Sequence, residues 1–143
     1  MSKAVLRAWS DLLGAHALAV RQIEERLRAA GTPPLEWYDV LLELDRAGGR
    51  LKIGELAARV VIAPYNMTRL LDRLEKQGLL RRERSDRDRR SAFAVLTEEG
   101  AALRRTMWPV YERAIREALA PMSEPEAEAM SKTLSRVIAG LRG

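Results

Sequence analysis

One stretch of the chain, residues 64–90, combines a helical hydrophobic pattern with most of the protein's positive charge. Four apolar residues recur at the i, i+3, i+4 and i+7 positions that share one face of a helix: Met67, Leu70, Leu71 and Leu74. The opposite face carries polar side chains: Tyr65, Thr68, Arg69, Asp72, Arg73 and Lys76. We therefore expect a helix with one face in a core and the other face directed at a partner.

The charge of this stretch indicates the chemistry of that partner. Residues 64–90 hold nine Lys and Arg against five Asp and Glu, a net charge of +4 out of +5 for the whole chain. A basic patch attracts a polyanion more strongly than the same charge spread over the surface, so the pattern favours nucleic acid. Arg87, Arg89 and Arg90 could instead form a solvated turn, but arginines packed this densely repel one another without a counter-anion.

The neighbouring patterns predict further elements on either side. Apolar spacing predicts helices over residues 4–30, 35–46 and 54–60, with an extended edge segment at residues 50–53. Pro33 and Pro34 end the first helix, and Gly48 and Gly49 end the second. The central helix spans residues 64–77, with Pro64 in its first turn, and two strands follow at residues 79–84 and 92–96. Helix, turn, helix and hairpin in this order form a winged helix-turn-helix.

Two more helices are expected after the hairpin. Thr97 is a plausible N-cap for a helix that runs to about residue 120, with Pro109 expected to kink it. Ser123 and Glu126 have the spacing of a capping box and begin the final helix. The chain is therefore expected to be a single domain, residues 1–143, of a mainly α class (α+β winged helix-turn-helix). It would have about six helices and a wing of two to three strands.

The first and last helices are longer than a small winged domain requires, and both carry apolar stripes. In the first helix the stripe consists of Val5, Trp9, Leu12, Leu13, His16, Ala19, Val20, Ile23 and Leu27. The same helices of a second copy would cover these stripes in a twofold homodimer. The alternative is that the two helices pack only on each other within a monomer.

Several functions are excluded or disfavoured by composition. The absence of cysteine excludes disulfides and thiolate metal sites. His16 is the only histidine and no acidic cluster has ligand spacing, so we expect no metal and no cofactor. No glycine-rich phosphate loop and no recognisable catalytic carboxylate pair is present, so an enzyme is not expected. We identify no signal peptide and no membrane-spanning stretch, and expect a soluble, cytoplasmic protein.

The run from Leu56 to Gly100 resembles the MarR family of bacterial transcriptional regulators, and the flanking helices extend the resemblance to essentially the whole chain. The helix motif consists of Thr68, Arg69, Leu70, Leu74, Gly78 and Leu79. The wing motif consists of Asp88, Arg89, Arg90, Ser91, Leu96, Thr97 and Gly100. Members often have small polar residues where this chain has residues 63–66, so the base preference of a relative does not transfer. The missing cysteine makes a thiol peroxide sensor untenable.

The resemblance implies how DNA would be bound. The helix over residues 64–77 would enter the major groove, Arg90 would reach the minor groove, and Asp88 would orient Arg90. The expected DNA-binding residues are Pro64, Tyr65, Asn66, Thr68, Arg69, Arg73, Arg87, Asp88, Arg89 and Arg90. Whether Arg81, Arg82 and Arg84 point inward or flank the DNA stays open. Residues 35–96 would form the DNA-binding part, and residues 4–34 and 97–143 the dimerisation helices.

The implied function is a dimeric, sequence-specific repressor that binds double-stranded DNA at a pseudo-palindromic operator and is nucleoid-associated when bound. Many members of the family also bind a small aromatic or anionic effector between the dimer helices and the winged part. The candidate pocket residues are Trp9, His16, Trp37, Tyr38 and Tyr111, although core packing or a dimer interface explains each of them singly. A winged helix that serves as a protein-interaction module is the competing hypothesis, and the arginine density argues against it.

Overall fold

The computed structural model describes residues 1–61, 66–84 and 92–143, which form six helices and three strands. The elements in chain order are α1 (Lys3–Ala29), α2 (Leu35–Arg46), β1 (Arg50–Lys52), α3 (Ile53–Arg59), α4 (Met67–Lys76), β2 (Leu80–Arg84), β3 (Ala92–Leu96), α5 (Glu98–Ala118) and α6 (Glu124–Arg142). The mainly α class with a small wing sheet is confirmed. The predicted start of the central helix at Pro64 lies outside the described residues, which enter that helix at Asn66 and Met67.

The three strands form one antiparallel sheet in the order β1-β3-β2, so β1 is an edge strand as predicted. Leu51 of β1 and Arg82 of β2 both pair with Ala94 at the centre of β3. Leu51 and Ala94 are buried, which places this row of residues on the inner face of the sheet. Residues on either side of the row therefore point outward, because side chains alternate along a strand.

The winged part has its own hydrophobic core. Helices α2, α3 and α4 contribute most of the core residues, and residues of β1, β2 and β3 complete the core. The predicted apolar face of α4 is confirmed, since Met67, Leu70, Leu71 and Leu74 are all buried. Burying four such side chains stabilises the fold by about 1.5 to 3 kcal/mol each. The recognition-helix candidate is thus anchored along its whole length, which leaves its polar face outward.

A second, smaller cluster joins the winged part to the long helices. It consists of Ile23 and Leu27 from α1, Leu35 from α2 and Ala114 from α5. The Glu24 side chain also accepts a hydrogen bond from the Leu35 backbone N–H at 3.3 Å, which satisfies one of the unpaired donors at the start of α2.

The start of α5 is packed tightly against the end of α4. Thr97 caps α5 by accepting from the Gly100 N–H at 3.0 Å, and its hydroxyl donates to the Gly78 carbonyl at 2.7 Å. A Cβ at Gly100 would lie 2.1 Å from the Leu79 carbonyl oxygen. Gly78 itself has φ +75°, a left-handed conformation that ends α4. The backbone therefore explains why glycine occupies both positions of the sequence motif, Gly78 and Gly100.

The terminal helices are largely uncovered within one chain. Among the described residues, α6 contains no buried position, and Val137 and Ile138 are each nearly half exposed. In α1 only Ile23 and Leu27 are buried, so most of its apolar stripe is uncovered in the single chain, which agrees with the dimer hypothesis. The monomer alternative, in which the first and last helices cover each other, is wrong for the same reason. The capping box of Ser123 and Glu126 is confirmed.

No helix in residues 1–61, 66–84 and 92–143 is long and apolar enough to cross a membrane. Within the same residues, no group of three or more His, Asp or Glu side chains is placed to hold a metal ion.

Candidate nucleic-acid interface

The outward face of α4 presents a row of exposed polar side chains. Thr68, Arg69 and Arg73 are exposed, and Asn66 is exposed at the N-cap, where its side chain makes no capping hydrogen bond. Within the described part of the chain, neither Arg69 nor Arg73 has an ion-pair partner. Two neighbouring guanidinium groups one helical turn apart are thus available to an anion or a base edge.

The structure brings three predicted DNA-binding residues together. Asn66, Arg69 and Arg73 line one shallow depression with Leu70 and with Glu36 of α2. Its volume is about 90 Å³, too small for an organic ligand but sufficient for an ordered water. Glu36 was not predicted as a site residue; because it belongs to another element, no local sequence pattern links it to the helix.

Arg82 points inward and holds the sheet against α4. Its guanidinium lies 2.5 Å from Asp72 Oδ1 and 2.8 Å from Glu75 Oε1, and its backbone N–H donates to Glu75 Oε2 at 2.9 Å. These hydrogen bonds, the backbone one first, lower the pKa of Glu75 below its usual value. Asp72 lies on the exposed face of α4, as predicted, and its carboxylate is also paired with Arg82. The open question about Arg82 is settled in favour of the inward orientation.

The outer face of the sheet carries arginines whose charges are paired with other side chains of the sheet. Arg50 lies over the Phe93 ring at 3.9 Å from the ring centroid and 3.7 Å from Glu83. Arg81 forms a second ion pair with the same Glu83 at 3.1 Å. Arg84, at the end of β2, lies on the same side of the strand as Arg82 but is exposed. Arg81 therefore has a structural partner, whereas Arg84 remains directed at solvent on the strand that leads into the wing.

Six predicted DNA-binding residues lie outside the described residues. Two precede α4, Pro64 and Tyr65, and four belong to the wing, Arg87, Asp88, Arg89 and Arg90. Their roles stay predictions.

A separate cavity lies where α2 and α5 meet. Its volume is about 210 Å³, and it is lined by Leu35, Tyr38, Asp39, Leu42, Val61 and Tyr111. The Tyr38 and Tyr111 rings meet edge to face with centroids 4.9 Å apart. Burial, and after it the charge of Asp39, raises the pKa of Tyr111. Two of the five predicted pocket residues, Tyr38 and Tyr111, are thus brought together.

The other three predicted pocket residues lie elsewhere in the single chain. Trp37 packs against the core of the winged part, and Trp9 and His16 are exposed on the N-terminal half of α1. Trp108 does not line the cavity but stacks on Tyr38 with ring centroids 6.1 Å apart. Trp108 lies three residues before Tyr111, so the two side chains share one face of α5.

These features define a class of protein. A winged helix-turn-helix whose second helix presents unpaired arginines, flanked by long helices with uncovered apolar faces, is typical of dimeric DNA-binding proteins.

Comparison with known proteins identifies the family that this chain resembles. Residues 30–91 match the model of the MarR family. The regulator MhqR of Bacillus subtilis is 28% identical over 137 residues, which cover 96% of this chain and 93% of MhqR. Among solved structures, this chain superposes on AbsC of Streptomyces coelicolor, a MarR family transcriptional regulator, with a TM-score of 0.83 at 27% identity. The superposition covers 100% of this chain and 97% of the AbsC chain. Sco3205 from the same organism, a MarR family regulator in complex with DNA, gives 0.84 at 26% identity, with 99% and 93% covered. The family model, the relatives and the solved structures all support a MarR family winged-helix regulator, and the relatives named here are transcriptional regulators.

Proposed function

We propose that this protein is a homodimeric, sequence-specific DNA-binding repressor whose affinity for its operator is lowered by a small-molecule effector. The observation that carries the proposal is the exposed face of α4, where Arg69 and Arg73 have no ion-pair partner among the described residues while the opposite face is fixed in a core. The solved complex of Sco3205 with DNA supports the same use of the fold.

In this proposal α4 of each protomer enters the major groove of one half of a pseudo-palindromic operator. Asn66, Thr68, Arg69 and Arg73, together with Pro64 and Tyr65, discriminate between bases. The wing residues Arg87, Arg89 and Arg90 contact the flanking minor groove and phosphates, with Asp88 orienting Arg90. Phosphate contacts supply most of the affinity, so binding weakens steeply as salt rises.

The dimer follows from the uncovered helices. The exposed apolar side chains of α1 and α6, among them Trp9, Leu13 and Ile138, would be covered by the same helices of a second copy. Residues 4–34 and 97–143 therefore serve as the dimerisation part and residues 35–96 as the DNA-binding part of a single domain. Two recognition helices in a fixed spacing then match two half-sites.

The site of action is the bacterial cytoplasm, with the protein on the nucleoid when bound to DNA. A dimer that occupies a promoter excludes the polymerase sterically, which makes repression the simplest sign of regulation. The effector binds in the cavity that contains Tyr38 and Tyr111, where α2 of the winged part meets α5 of the dimerisation part. Trp9 and His16 would join the site only from the dimer interface.

The decisive test is fluorescence anisotropy with the DNA upstream of the protein's own gene, at physiological salt, against a shuffled duplex. We expect strong preference for the upstream DNA. In Arg90→Ala the slope of log affinity against log salt should become less steep, by the amount expected for about one lost phosphate contact. An unchanged slope would remove the wing arginine from the mechanism. Weak and equal binding to both duplexes would contradict sequence-specific recognition of this upstream DNA.

A further inference from the structure

The depression beside α4 brings a carboxylate next to the two arginines of the exposed helix face. Asn66, Arg69 and Arg73 follow one another at helical spacing along one edge of α4, and Glu36 of α2 lines the same depression. The volume of about 90 Å³ confines these side chains to one small area of the surface. The edge of α4 that we expect to meet base pairs therefore carries an acidic side chain as well as two basic ones.

The backbone that carries Glu36 is anchored on both sides. Leu35 is buried in the cluster that joins α1, α2 and α5, and Trp37 packs against the core of the winged part. Glu36 also lies in the first turn of α2, where the helix dipole favours an acid. The carboxylate is therefore held beside α4 by the fold, although it belongs to a different helix.

The carboxylate of Glu36 differs from the acids on the other edge of α4. Asp72 and Glu75 are both paired with Arg82, so their acceptor capacity is used within the fold. Among the ion pairs and hydrogen bonds of the described residues, none involves the Glu36 side chain. Within the described part of the chain, this acceptor stands beside the recognition arginines and is directed at a partner from outside.

A carboxylate distinguishes between the two kinds of surface that DNA presents. An ionised carboxylate only accepts hydrogen bonds, and phosphate oxygens are negatively charged acceptors. A phosphate held by Arg69 or Arg73 would therefore be repelled by Glu36. In the major groove, by contrast, cytosine presents its N4 amino group as a donor, and guanine presents O6 and N7 as acceptors. A G·C pair thus offers a suitable partner to a glutamate and to a neighbouring arginine.

We propose that Glu36 is a specificity-determining residue of the DNA interface, which accepts a hydrogen bond from the N4 amino group of a cytosine and disfavours phosphate at Arg69 and Arg73. The inference rests on the DNA-binding function proposed above and gives α2 a part in base recognition. Each half-site of the operator should then contain one such cytosine. Random DNA is bound mainly through its phosphates, so the same carboxylate weakens non-specific binding.

The first test locates the cytosine with the full-length protein and a duplex library that has randomised half-sites. Selection on the wild type should yield half-sites that share at least one fixed G·C pair. Each cytosine of the selected duplex is then replaced in turn by pyrimidin-2-one, which lacks the N4 amino group. At one position the wild-type affinity in fluorescence anisotropy should fall on the order of tenfold, the size of one charge-assisted hydrogen bond. Glu36→Ala should bind the two duplexes equally.

The second test measures phosphate-mediated binding with a shuffled duplex. In Glu36→Gln the affinity for this duplex should rise and the ratio of selected to shuffled affinity should fall, because the amide keeps the shape and an acceptor but loses the charge. Glu25→Gln is the matched control, since it removes the same charge from an exposed position of α1 outside the depression and should leave the ratio unchanged. Melting temperatures check that the variants are folded, and Glu36→Gln carries the test if Glu36→Ala is unstable.

Three results would overturn the inference: no cytosine at which the wild type and Glu36→Ala differ, an unchanged affinity ratio in Glu36→Gln, or an equal change of the ratio in Glu25→Gln. A wild type that selects no common half-site would contradict the proposed function itself. A common half-site that the wild type and both Glu36 variants select with the same preferences would contradict only the role of Glu36.

Discussion

Glu75 and Arg82 form a double tether between α4 and β2. One carboxylate oxygen of Glu75 accepts from the Arg82 backbone N–H at 2.9 Å, and the other accepts from the Arg82 guanidinium at 2.8 Å. The same guanidinium reaches Asp72 one turn earlier on α4. The strand that leads into the wing is therefore fixed to the helix that carries the exposed arginines. A regulator that must place both elements on one DNA duplex needs such a fixed angle.

Removing the tether should weaken both the fold and DNA binding. We expect Arg82→Met to lower the free energy of unfolding by about 1 to 2 kcal/mol, because Asp72 and Glu75 lose a partly buried charge-assisted partner. Urea denaturation measures this loss. Arg84→Met, on the same strand but exposed, should change the unfolding free energy by less than about 0.5 kcal/mol. Equal effects of the two substitutions would show that the tether contributes nothing beyond surface charge.

The tether also predicts a pH dependence. The hydrogen bonds from Arg82 lower the folded-state pKa of Glu75 below its usual value of 4.5. Its stabilising contribution is therefore fully present above pH 4.5 and is lost as the pH falls through the lower folded-state value. The melting temperature of the wild-type protein should fall more steeply over this acid range than that of Glu75→Gln. Parallel curves for the two proteins would contradict the prediction.

Gly100 cannot accept a side chain where α5 begins. A Cβ there would lie 2.1 Å from the Leu79 carbonyl oxygen and 2.8 Å from Leu96 Cδ1, so the backbone has to move. We expect Gly100→Ala to destabilise the protein by about 3 kcal/mol, at the upper end of overpacking effects. Gly54→Ala is the matched control, since nothing lies within 4 Å of its Cβ position. Thermal unfolding compares the stability of the two variants. A Gly100→Ala protein as stable as the wild type would show that the backbone at the start of α5 can move to accept the methyl group.

Arg73 and Arg69 should contribute to base discrimination rather than to stability. Arg73→Ala is expected to weaken operator binding by about 1 to 3 kcal/mol while leaving binding to random DNA less affected. Arg105→Ala, an exposed arginine of α5 outside the winged part, should leave both affinities nearly unchanged. Competition anisotropy on the two duplexes measures the difference. If Arg73→Ala weakens both duplexes equally, Arg73 is a phosphate contact.

The helices, the strands and the fold class could be predicted from the sequence because local signals agree with one another. The apolar spacing of α4, the capping box at Ser123 and the Thr97 cap are all encoded within a few residues. What the sequence could not give are contacts across elements. Arg82 was undecided because alternation along a strand does not say which face is inner until the register with Ala94 is known.

The candidate sites show the same division. Arg69 and Arg73 follow from helix periodicity, and the structure leaves them exposed. Asp39 was not anticipated as a cavity residue, because its role depends on Val61 and Tyr111, which belong to distant segments. Trp9 and His16 were grouped with the pocket because of the effector site that the family resemblance implies, and in a single chain they do not line the cavity of Tyr38 and Tyr111.

The last prediction concerns the uncovered face of α6. Ile138 is 48% exposed and Val137 is 49% exposed on a helix with no buried residue, so a lone chain would leave this apolar surface in water. Ile138→Lys should shift the protein towards monomers in analytical ultracentrifugation, because burying a lysine in a dimer interface is costly. Operator affinity should fall together with dimerisation, since each protomer would then hold one half-site alone. Ala139→Lys, an exposed position of the same helix that does not share the face of Ile138, adds the same charge and should leave the dimer intact. A dimer that persists in Ile138→Lys would place the interface elsewhere, on α1 or α5.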